Sequence, residues 1–314
     1  MTLPAFTARI AGLAEPVIRR WTGFSGNLRG AILVTLGALV LTVMAIFVKI
    51  LGARLDSTQI LFFRSFIGLL FILPLAFKHG WGICRTTKPM MHMTRGGIGI
   101  LGNFCFFYSI THLLLADAMA LQFSRPLFMI VLAALFLGEI TGWKRGIATV
   151  IGFGGILIYT RPFGAGFEPD VLVAAAGAFF GALVVVAIKQ LSKTESTKVI
   201  MFYYAFWGAV FSFIPALLVW QTPTWPEMGL LVLVGFLGIA GQSLITHGVT
   251  QADTTVVLPF DYLRIVYALV FGLLLFGEIP GPWSIAGTVI IVASTLYILL
   301  LEAKRKPAAP PPRP

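Results

Sequence analysis

The sequence predicts an all-α integral membrane protein, with ten transmembrane helices arranged as two inverted repeats of five. Of its 314 residues, 58% are hydrophobic and only 11% are charged, and the mean hydropathy is +0.93. Soluble domains are about a quarter charged. The apolar residues occur in runs of about twenty, the length that crosses about 30 Å of hydrocarbon. The third observation is that one of these runs occurs twice.

Ten apolar runs separated by short connections are predicted to span the membrane. They cover residues 31–52, 59–77, 94–112, 116–137, 145–160, 170–190, 198–220, 227–246, 254–276 and 282–301. The expected units are a basic N-terminal tail (1–29), a first repeat (30–162), a second repeat (168–302) and a Pro-rich basic tail (303–314). The N-terminus lacks a short apolar core followed by a small-residue cleavage site, so the first run is expected to be retained.

The distribution of basic residues predicts the orientation, because cytoplasmic loops carry an excess of Lys and Arg. With the N-terminus inside, most of the 23 Lys and Arg fall on the cytoplasmic side. Arg95 is counted there, at the end of the second loop. Only Lys49, Arg54 and Arg161 fall outside. We therefore expect a multi-pass protein of the cell inner (cytoplasmic) membrane with both termini cytoplasmic.

The repeated run is LQFSRPLFMIVLAALFLGE at 121–139, which returns as FDYLRIVYALVFGLLLFGE at 260–278. A shift of 139 residues places Arg125 on Arg264 and Glu139 on Glu278. A charge inside a span costs a few kcal/mol or more, so it indicates a functional site by default. Five spans per half is an odd number, so the second half must lie inverted in the membrane, as in many secondary transporters.

The segment SRPLFMIVLAALFLGEITGWKRGIATVIGFGGILIYTRP and its counterpart LPFDYLRIVYALVFGLLLFGEIPGPWSIAGTVIIVASTLYI resemble the two repeats of the EamA branch of the drug/metabolite transporter superfamily. The resemblance covers about residues 29–302. It implies ten helices in two inverted EamA-type repeats, a central cavity and alternating access. The first copy has Pro126 beside its arginine and the second has Pro259 earlier, so any kinks are expected at different depths.

Arg125 and Arg264 are the first candidates for binding a substrate. A guanidinium is always charged, and its planar fork of donors matches carboxylate or phosphate. Asp261 lies three residues before Arg264 and within pairing reach on one helix face. It could neutralise Arg264 until substrate arrives or carry a coupling proton. The structural alternative is that these charges form permanent ion pairs that only hold helices together.

Further polar and aromatic side chains inside spans are candidates to line the same cavity. Arg64 could bind an anionic group or extend to the interface, and Tyr203 and Tyr204 occupy the corresponding region of the second half. Amides inside spans must find partners, in the cavity or between helices. Glu139 and Glu278 are expected to cap the next helix. The predicted substrate-binding residues are Arg125, Arg264, Asp261, Arg64, Asn103, Gln122, Tyr262, Gln242, Tyr108 and Tyr203.

The motifs absent from the sequence narrow the function. No Walker loop, HExxH or acidic diphosphate motif occurs, so we expect no enzyme, no cofactor and no metal site. A basic stripe interleaved with aromatics is also absent, which argues against nucleic acid as a partner. Cys84 and Cys105 lack the spacing of a metal or disulfide framework and are expected to be free thiols.

The sequence thus predicts a secondary active transporter of a small polar metabolite, anionic or zwitterionic. Within the family, the chain looks most like carriers of S-adenosylmethionine, riboflavin and carboxylate-rich metallophores. The expected partners are the substrate, the lipid bilayer, and a coupling proton or counter-substrate, and a homodimer is left open. The alternatives are a riboflavin-type vitamin or drug carrier, a non-transporting assembly protein and a lipid-modifying membrane enzyme. The enzyme would need clustered acids at one interface.

Overall fold

The structure is a computed structural model that describes residues 24–78, 85–137, 142–160, 169–250, 252 and 257–303. In these residues all regular structure is helical. The first half contains α1 (Gly26–Leu51), α2 (Ser57–Lys78), α3 (Pro89–His112), α4 (Leu115–Gln122), α5 (Arg125–Leu137) and α6 (Trp143–Thr160). The second contains α7 (Asp170–Leu191), α8 (Thr197–Leu218), α9 (Trp225–Thr250), a 3-10 turn (Leu258–Tyr262), α10 (Leu263–Phe276) and α11 (Pro282–Ala303).

The helices begin where the sequence supplies caps. Ser25 Oγ accepts a hydrogen bond from Leu28 N before α1, and Ser196 Oγ accepts one from Val199 N before α8. These side chains satisfy amides that have no partner within a helix. Seven segments of the described residues are long and apolar enough to cross a membrane. The all-α membrane fold is therefore confirmed, while the count of ten spans stays a prediction.

The packing of the helices follows a pseudo-two-fold pattern. The most extensive contacts are α1 with α9, α6 with α11, α3 with α7 and α2 with α8. Exchanging the two halves turns the α1–α9 pair into the α7–α3 pair and leaves the α2–α8 and α6–α11 pairs unchanged. The lesser contacts of α3 with α8 and of α9 with α2 exchange in the same way. The two repeats therefore interlock, with α2 and α8 meeting at the pseudo-axis.

Glycines bring these helix pairs into close contact. A Cβ on Gly37 of α1 would lie 2.6 Å from Ile245 Cγ1 and 3.0 Å from the carbonyl oxygen of Gly241 on α9. At the equivalent α7–α3 contact, a Cβ on Gly177 would lie 3.1 Å from Cys105 Cβ and 3.5 Å from the Gly102 carbonyl oxygen. Small residues that let backbones approach are typical of membrane helix interfaces.

The same contacts fix the register between the halves. Helices α2 and α8 are each 22 residues long and start 140 residues apart. A Cβ on Gly96 would lie 2.4 Å from Trp207 Cβ, and one on Gly235 would lie 2.5 Å from Ile67 Cγ2. Ile67 and Trp207 are 140 residues apart, and the two glycines are 139 apart. Hence Arg64 of α2 and Tyr204 of α8 are equivalent positions.

The fourth and ninth predicted spans are not continuous helices, which corrects the sequence prediction. The fourth breaks at Phe123 and Ser124 between α4 and α5, where Ser124 Oγ donates to the Leu121 carbonyl at 2.6 Å. Pro126 lacks an amide hydrogen and its ring conflicts with a carbonyl four residues earlier, so the helix cannot run through. In the ninth, the 3-10 turn at 258–262 precedes α10. Both breaks end just before an arginine, so their depths match and only their form differs.

Candidate functional site

Arg125 and Arg264 each lie at the start of a half-helix. Arg125 is the first residue of α5 and Arg264 is the second residue of α10. Amides near both starts already have partners, because Leu127 N donates to the Ser124 carbonyl and Leu263 N donates to the Phe260 and Asp261 carbonyls of the 3-10 turn. The helix dipole still adds positive potential at each start, beside a guanidinium. Anions are the ligands that such a site attracts.

Arg125 packs against α7. A Cβ on Gly181 would lie 2.6 Å from Arg125 Nε and 3.0 Å from its Cζ, so the absence of a side chain at Gly181 is what makes room for the guanidinium. Within the described chain, Nε of Arg125 is buried and has no hydrogen-bond partner. Its charge interacts with Arg264, Asp261 and Tyr204. The two equivalent arginines are thus electrostatic neighbours, as the sequence suggested.

Asp261 is the carboxylate of this group. Its Oδ1 lies 2.6 Å from Arg264 Nη2, and the two side chains are 20% and 18% exposed. The distance is that of an ion pair, although the angles do not make it a hydrogen bond. Arg125 has no acid at the equivalent place, because Gln122 stands three residues before it. The pair therefore neutralises one arginine and leaves the other in excess.

Tyr204 connects the remaining polar groups. Its hydroxyl accepts a hydrogen bond from Asn103 Nδ2 at 2.7 Å and faces the guanidinium of Arg64. The guanidinium carbon of Arg95 lies 4.8 Å from the centre of the Tyr204 ring, within the range of a cation–π contact. A Cβ on Gly99 would lie 3.3 Å from this ring. One phenol of α8 therefore contacts two helices of the first half, α2 and α3.

Arg64 occupies the position in the first half that Tyr204 occupies in the second. A Cβ on Gly238 would lie 3.2 Å from Arg64 Nε, matching the approach of Tyr204 to Gly99. The Arg64 guanidinium lies 5.6 Å from the Phe107 ring centre. It therefore points inward among α2, α3 and α9, rather than out to the interface.

The rings of Phe123 and Tyr262 form a stack between the two breaks. Their centroids are 4.4 Å apart and the planes are tilted by 23°. The two residues are 139 apart, like Arg125 and Arg264, so the stack also lies on the pseudo-axis. It gives the group of charges an apolar, flat boundary.

Counted together, the described central side chains carry four guanidiniums and one carboxylate. The Nε atoms of Arg64, Arg95, Arg125 and Arg264 are buried, and none has a hydrogen-bond partner among the described residues. Buried donors without partners cost free energy, and buried charges are normally paired. An anionic group placed among them would satisfy both requirements. We call Arg64, Arg95, Arg125, Arg264, Asp261, Tyr204 and Asn103 the arginine site.

Comparison with known families fits this arrangement of two repeats. The EamA-like transporter family matches residues 28–161 and again 169–300, which together cover most of the chain. The chain belongs to the EamA-like transporter family. The resemblance found in the sequence is confirmed, and the protein is a membrane transporter of small metabolites.

Characterised relatives of this EamA protein have different named cargoes. The S-adenosylmethionine uptake transporter of Rickettsia felis is 32% identical over 82% of this chain and 87% of its own length. The pseudopaline exporter CntI of Pseudomonas aeruginosa is 34% identical over 86% of this chain and 95% of its own. The riboflavin transporter of Rhizobium johnstonii is 28% identical over 89% and 94%.

A solved crystal structure shares the fold of this EamA chain. Its TM-score is 0.56 at 21% sequence identity, and the match covers 86% of this chain and 96% of that one. At that identity the likeness concerns the fold alone.

Of the predicted site residues of this EamA protein, five lie in the arginine site and Tyr262 borders it. The other four residues lie outside the arginine site. The Tyr108 hydroxyl donates to Asp170 Oδ1 at 3.0 Å at one end of α3. Tyr203 stacks on His92, 4.6 Å away. Gln122 ends α4 beside the stack, and Gln242 is exposed on α9 at the place equivalent to Asn103.

Two residues of the EamA arginine site were missed in the sequence. Arg95 was assigned to a cytoplasmic loop, but it lies within α3 and is only 6% exposed. The signal that could have found it is the spacing of Gly99 and Gly102, which marks the face of α3 that contacts α7 and α8. Tyr204 was left out in favour of Tyr203, and no local pattern separates the two.

The predictions for the glutamates and the cysteines had different outcomes. Glu278 does cap a helix, but it accepts from Leu115 N at the start of α4 in the other repeat, rather than from the next helix. Cys105 is buried and free, as predicted. Glu139, Cys84 and Arg161 lie outside the described residues, as do residues 1–23 and 304–314 of the predicted tails.

Proposed function

We propose that this protein is a secondary active transporter for a small polar metabolite that carries a carboxylate or a comparable anionic group. The observation that carries the proposal is the surplus of guanidiniums over carboxylates in the arginine site. Arg125 and Arg264 stand at two half-helix N-termini that converge on one place. Discontinuous helices whose N-termini point at an anionic group are a known design for transporter binding sites.

The substrate class is narrowed by charge and by the relatives. A dianion would be held by all four arginines, whereas Asp261 adds a place for a cationic group. This supports an amino-acid-like or zwitterionic cargo, of the S-adenosylmethionine or metallophore type. One relative is named for uptake and another for export. The direction of transport is therefore a property of each protein and its gradient, rather than of the family.

A riboflavin-type vitamin is the second candidate. The stack of Phe123 on Tyr262 supports it, because two parallel rings at the edge of the site can open to hold a flat ring system between them. The riboflavin transporter among the relatives points the same way. The two candidate cargoes differ in how strongly their binding depends on the surplus of guanidiniums over carboxylates.

Asp261 gives the site a means of coupling. It pairs with Arg264 in the described state, and a substrate carboxylate that takes its place would leave Asp261 free to accept a proton. Exchange against a counter-substrate is the alternative, in which the second cargo takes the place of the first at Arg264. We place the chain in the cytoplasmic membrane as ten spans in two inverted repeats, with both termini inside.

Replacing Arg264 by alanine tests the site. We expect Arg264→Ala to reduce transport in proteoliposomes by at least about 30-fold, since losing one partner of a desolvated charged contact costs 2 kcal/mol or more. Counterflow against a panel of S-adenosylmethionine, amino acids, metallophore and riboflavin identifies the cargo. Arg264→Lys keeps the charge but loses the fork, and should recover only part of the flux.

The matched control is Arg54→Ala, which removes an exposed arginine outside the arginine site. It should transport like the parent protein. Undiminished flux in Arg264→Ala, with normal membrane insertion, would contradict the proposal. The second candidate would be favoured if riboflavin were the only compound of the panel that is transported and Arg264→Ala reduced that flux.

A further inference from the structure

Lys49 and Glu278 form an ion pair between the two repeats, outside the arginine site. The two side chains are only 15% and 9% exposed. Lys49 Nζ also donates to the Leu113 carbonyl at 2.6 Å, and Glu278 Oε2 accepts from Leu115 N at 2.7 Å. The pair therefore joins the end of α1, the α3–α4 connection and the end of α10. We call the Lys49–Glu278 pair the lock.

The backbone around Glu278 is shaped to turn its carboxylate inward. Gly277 has a φ of +66°, the left-handed conformation that glycine adopts without steric cost. Glu278 N then donates to the Gly272 carbonyl at 3.0 Å. A Cβ on Gly272 would lie 2.9 Å from Glu278 Oε2, so this glycine leaves space for the carboxylate to fold back over α10.

The lock holds the outer ends of two segments whose inner ends meet at the arginine site. Helix α4 starts at Leu115, beside the lock, and ends at the break before Arg125. Helix α10 starts beside Arg264 and ends at Gly277, beside the lock. The two segments pack against each other. Separating their outer ends would open a route from this end of the molecule to the arginines.

A polar cavity of about 560 Å³ adjoins the lock. Lys49 itself lines it, together with Thr111, His112, Asp117, Thr160 and Ser284. A ligand carboxylate that enters this cavity meets Lys49, whose present partner is also a carboxylate. Asp117 lies on the same wall, and its carboxylate is also engaged within the protein.

We propose that the lock closes this end of the transport path, and that the adjoining cavity is an access site in which the carboxylate of a zwitterionic substrate replaces Glu278 at Lys49. This proposal rests on the proposed function, because a transport path exists only if the protein is a transporter. Exchange of one carboxylate for another conserves the ion pair of Lys49, so releasing Glu278 and α10 requires no unpaired buried lysine. Loading and opening are then one step.

The test uses a cysteine placed between the lock and the arginine site. A Cβ on Gly238 would lie 3.3 Å from Met44 Sδ and 3.2 Å from Arg64 Nε, so Met44 of α1 borders the site. Met44→Cys is introduced with Cys84→Ser and Cys105→Ser. Its reaction with a membrane-impermeant maleimide, applied from each side of sealed vesicles, reports opening at either end. No transport substrate is needed.

We expect Lys49→Gln to speed labelling from the α1 C-terminal side by at least about tenfold, a shift that corresponds to about 1.4 kcal/mol. The exchanged pair Lys49→Glu with Glu278→Lys should restore slow labelling only in part, because it restores the ion pair but not the hydrogen bonds to the Leu113 carbonyl and Leu115 N. The matched control is Arg54→Gln. It also breaks an ion pair between the repeats at this end, but this pair joins the α1–α2 connection to Glu227 of α9 and involves neither α4 nor α10. It should leave labelling unchanged.

Added carboxylate tests the access site. In Met44→Cys with Lys49 and Glu278 intact, sodium acetate should speed labelling by replacing Glu278 at Lys49, whereas sodium chloride of equal ionic strength should not. Acetate should have no further effect once Lys49→Gln is added. Labelling that acetate leaves unchanged would overturn the carboxylate exchange.

Two results would overturn the lock itself. One is unchanged labelling in Lys49→Gln, with the variant inserted and monodisperse, and the other is equal acceleration in Lys49→Gln and Arg54→Gln. These results would leave the transporter proposal standing, since that proposal is tested by flux at Arg264. Absence of flux for every cargo, together with the expected labelling, would instead contradict the proposed substrate class and keep the lock.

Discussion

At the scale of single residues, the hydroxyl of Tyr204 determines how the arginine site is held. It accepts from Asn103 on α3 and faces Arg64 on α2, while Arg95 lies over its ring. The two guanidiniums would repel one another without dipoles between them. A neutral phenol between Arg64 and Arg95 keeps them together and leaves their remaining donors for an anion.

We expect Tyr204→Phe to reduce the apparent substrate affinity by roughly tenfold, because a buried donor left without its partner costs about 1–3 kcal/mol. Concentration-dependent uptake in proteoliposomes measures it. The control is Tyr203→Phe, whose ring lies against His92, and it should transport normally. A stronger loss in Tyr203→Phe than in Tyr204→Phe would show that the site uses the other tyrosine.

The sequence could predict some of these residues because a charge inside a membrane span costs free energy. Arg125, Arg264 and Arg64 are charges inside apolar runs, and such charges need a reason. Arg95 was missed because it lies near the boundary of a span, where composition cannot distinguish a loop from a helix start. Choosing Tyr204 over its neighbour required the register between α2 and α8. That register depends on contacts between helices, which no local pattern encodes.

At the scale of elements, the closest helix pairs are set by glycines. The contact of α1 with α9 through Gly37 and Gly241 leaves no room for a methyl group. The same holds at α6 with α11, where a Cβ on Gly155 would lie 2.8 Å from Ile290 Cγ2. These pairs therefore behave as rigid units. The half-helices α4, α5 and α10 are shorter and are the parts able to shift between them.

Gly37→Ala should lower the thermal unfolding temperature of the detergent-solubilised protein. The added methyl overpacks the α1–α9 contact, which typically costs about 1–3 kcal/mol. The control is Gly68→Ala on α2, where the nearest atom would be 4.0 Å away. Alanine favours helix over glycine by about 1 kcal/mol, so Gly68→Ala should be neutral or stabilising. Equal destabilisation by both would contradict the role assigned to the close contact.

The elements themselves were largely predictable, because runs of about twenty apolar residues have one common solution in a membrane. The interruptions were not. Pro126 and Pro259 hinted at kinks, but the 3-10 turn at 258–262 and the break at Phe123 depend on what the freed carbonyls and amides meet. One such partner is Thr295 of α11, whose Oγ1 donates to the Phe123 carbonyl at 3.4 Å.

At the scale of the whole molecule, the exchange of helix contacts between halves supports an inverted arrangement. The sequence contained this in outline, since five spans in each half require it. It could not give the interlocking of α1 with α9 and of α3 with α7. Pairing across repeats is one of several possible packings of the same helices.

Reporter fusions test the inverted arrangement. Alkaline phosphatase inserted in the α1–α2 connection at 52–56 should be active, because that connection is expected outside. At the equivalent α7–α8 connection, 192–196, it should be inactive. Green fluorescent protein should fluoresce at both termini. Phosphatase activity at both connections, or at neither, would contradict inverted repeats whatever the number of spans.

The pairing of Arg64 with Tyr204 has a consequence for how a cargo is oriented. If the two repeats were identical, both positions would hold the same side chain, and an unsymmetrical molecule could bind in two equivalent ways, head to tail. Because one repeat supplies a cation and the other a phenol, the two poses differ in energy and one prevails. The two halves can differ because they are parts of a single chain. The cargo is therefore bound and transported in one orientation, with the same end first each time.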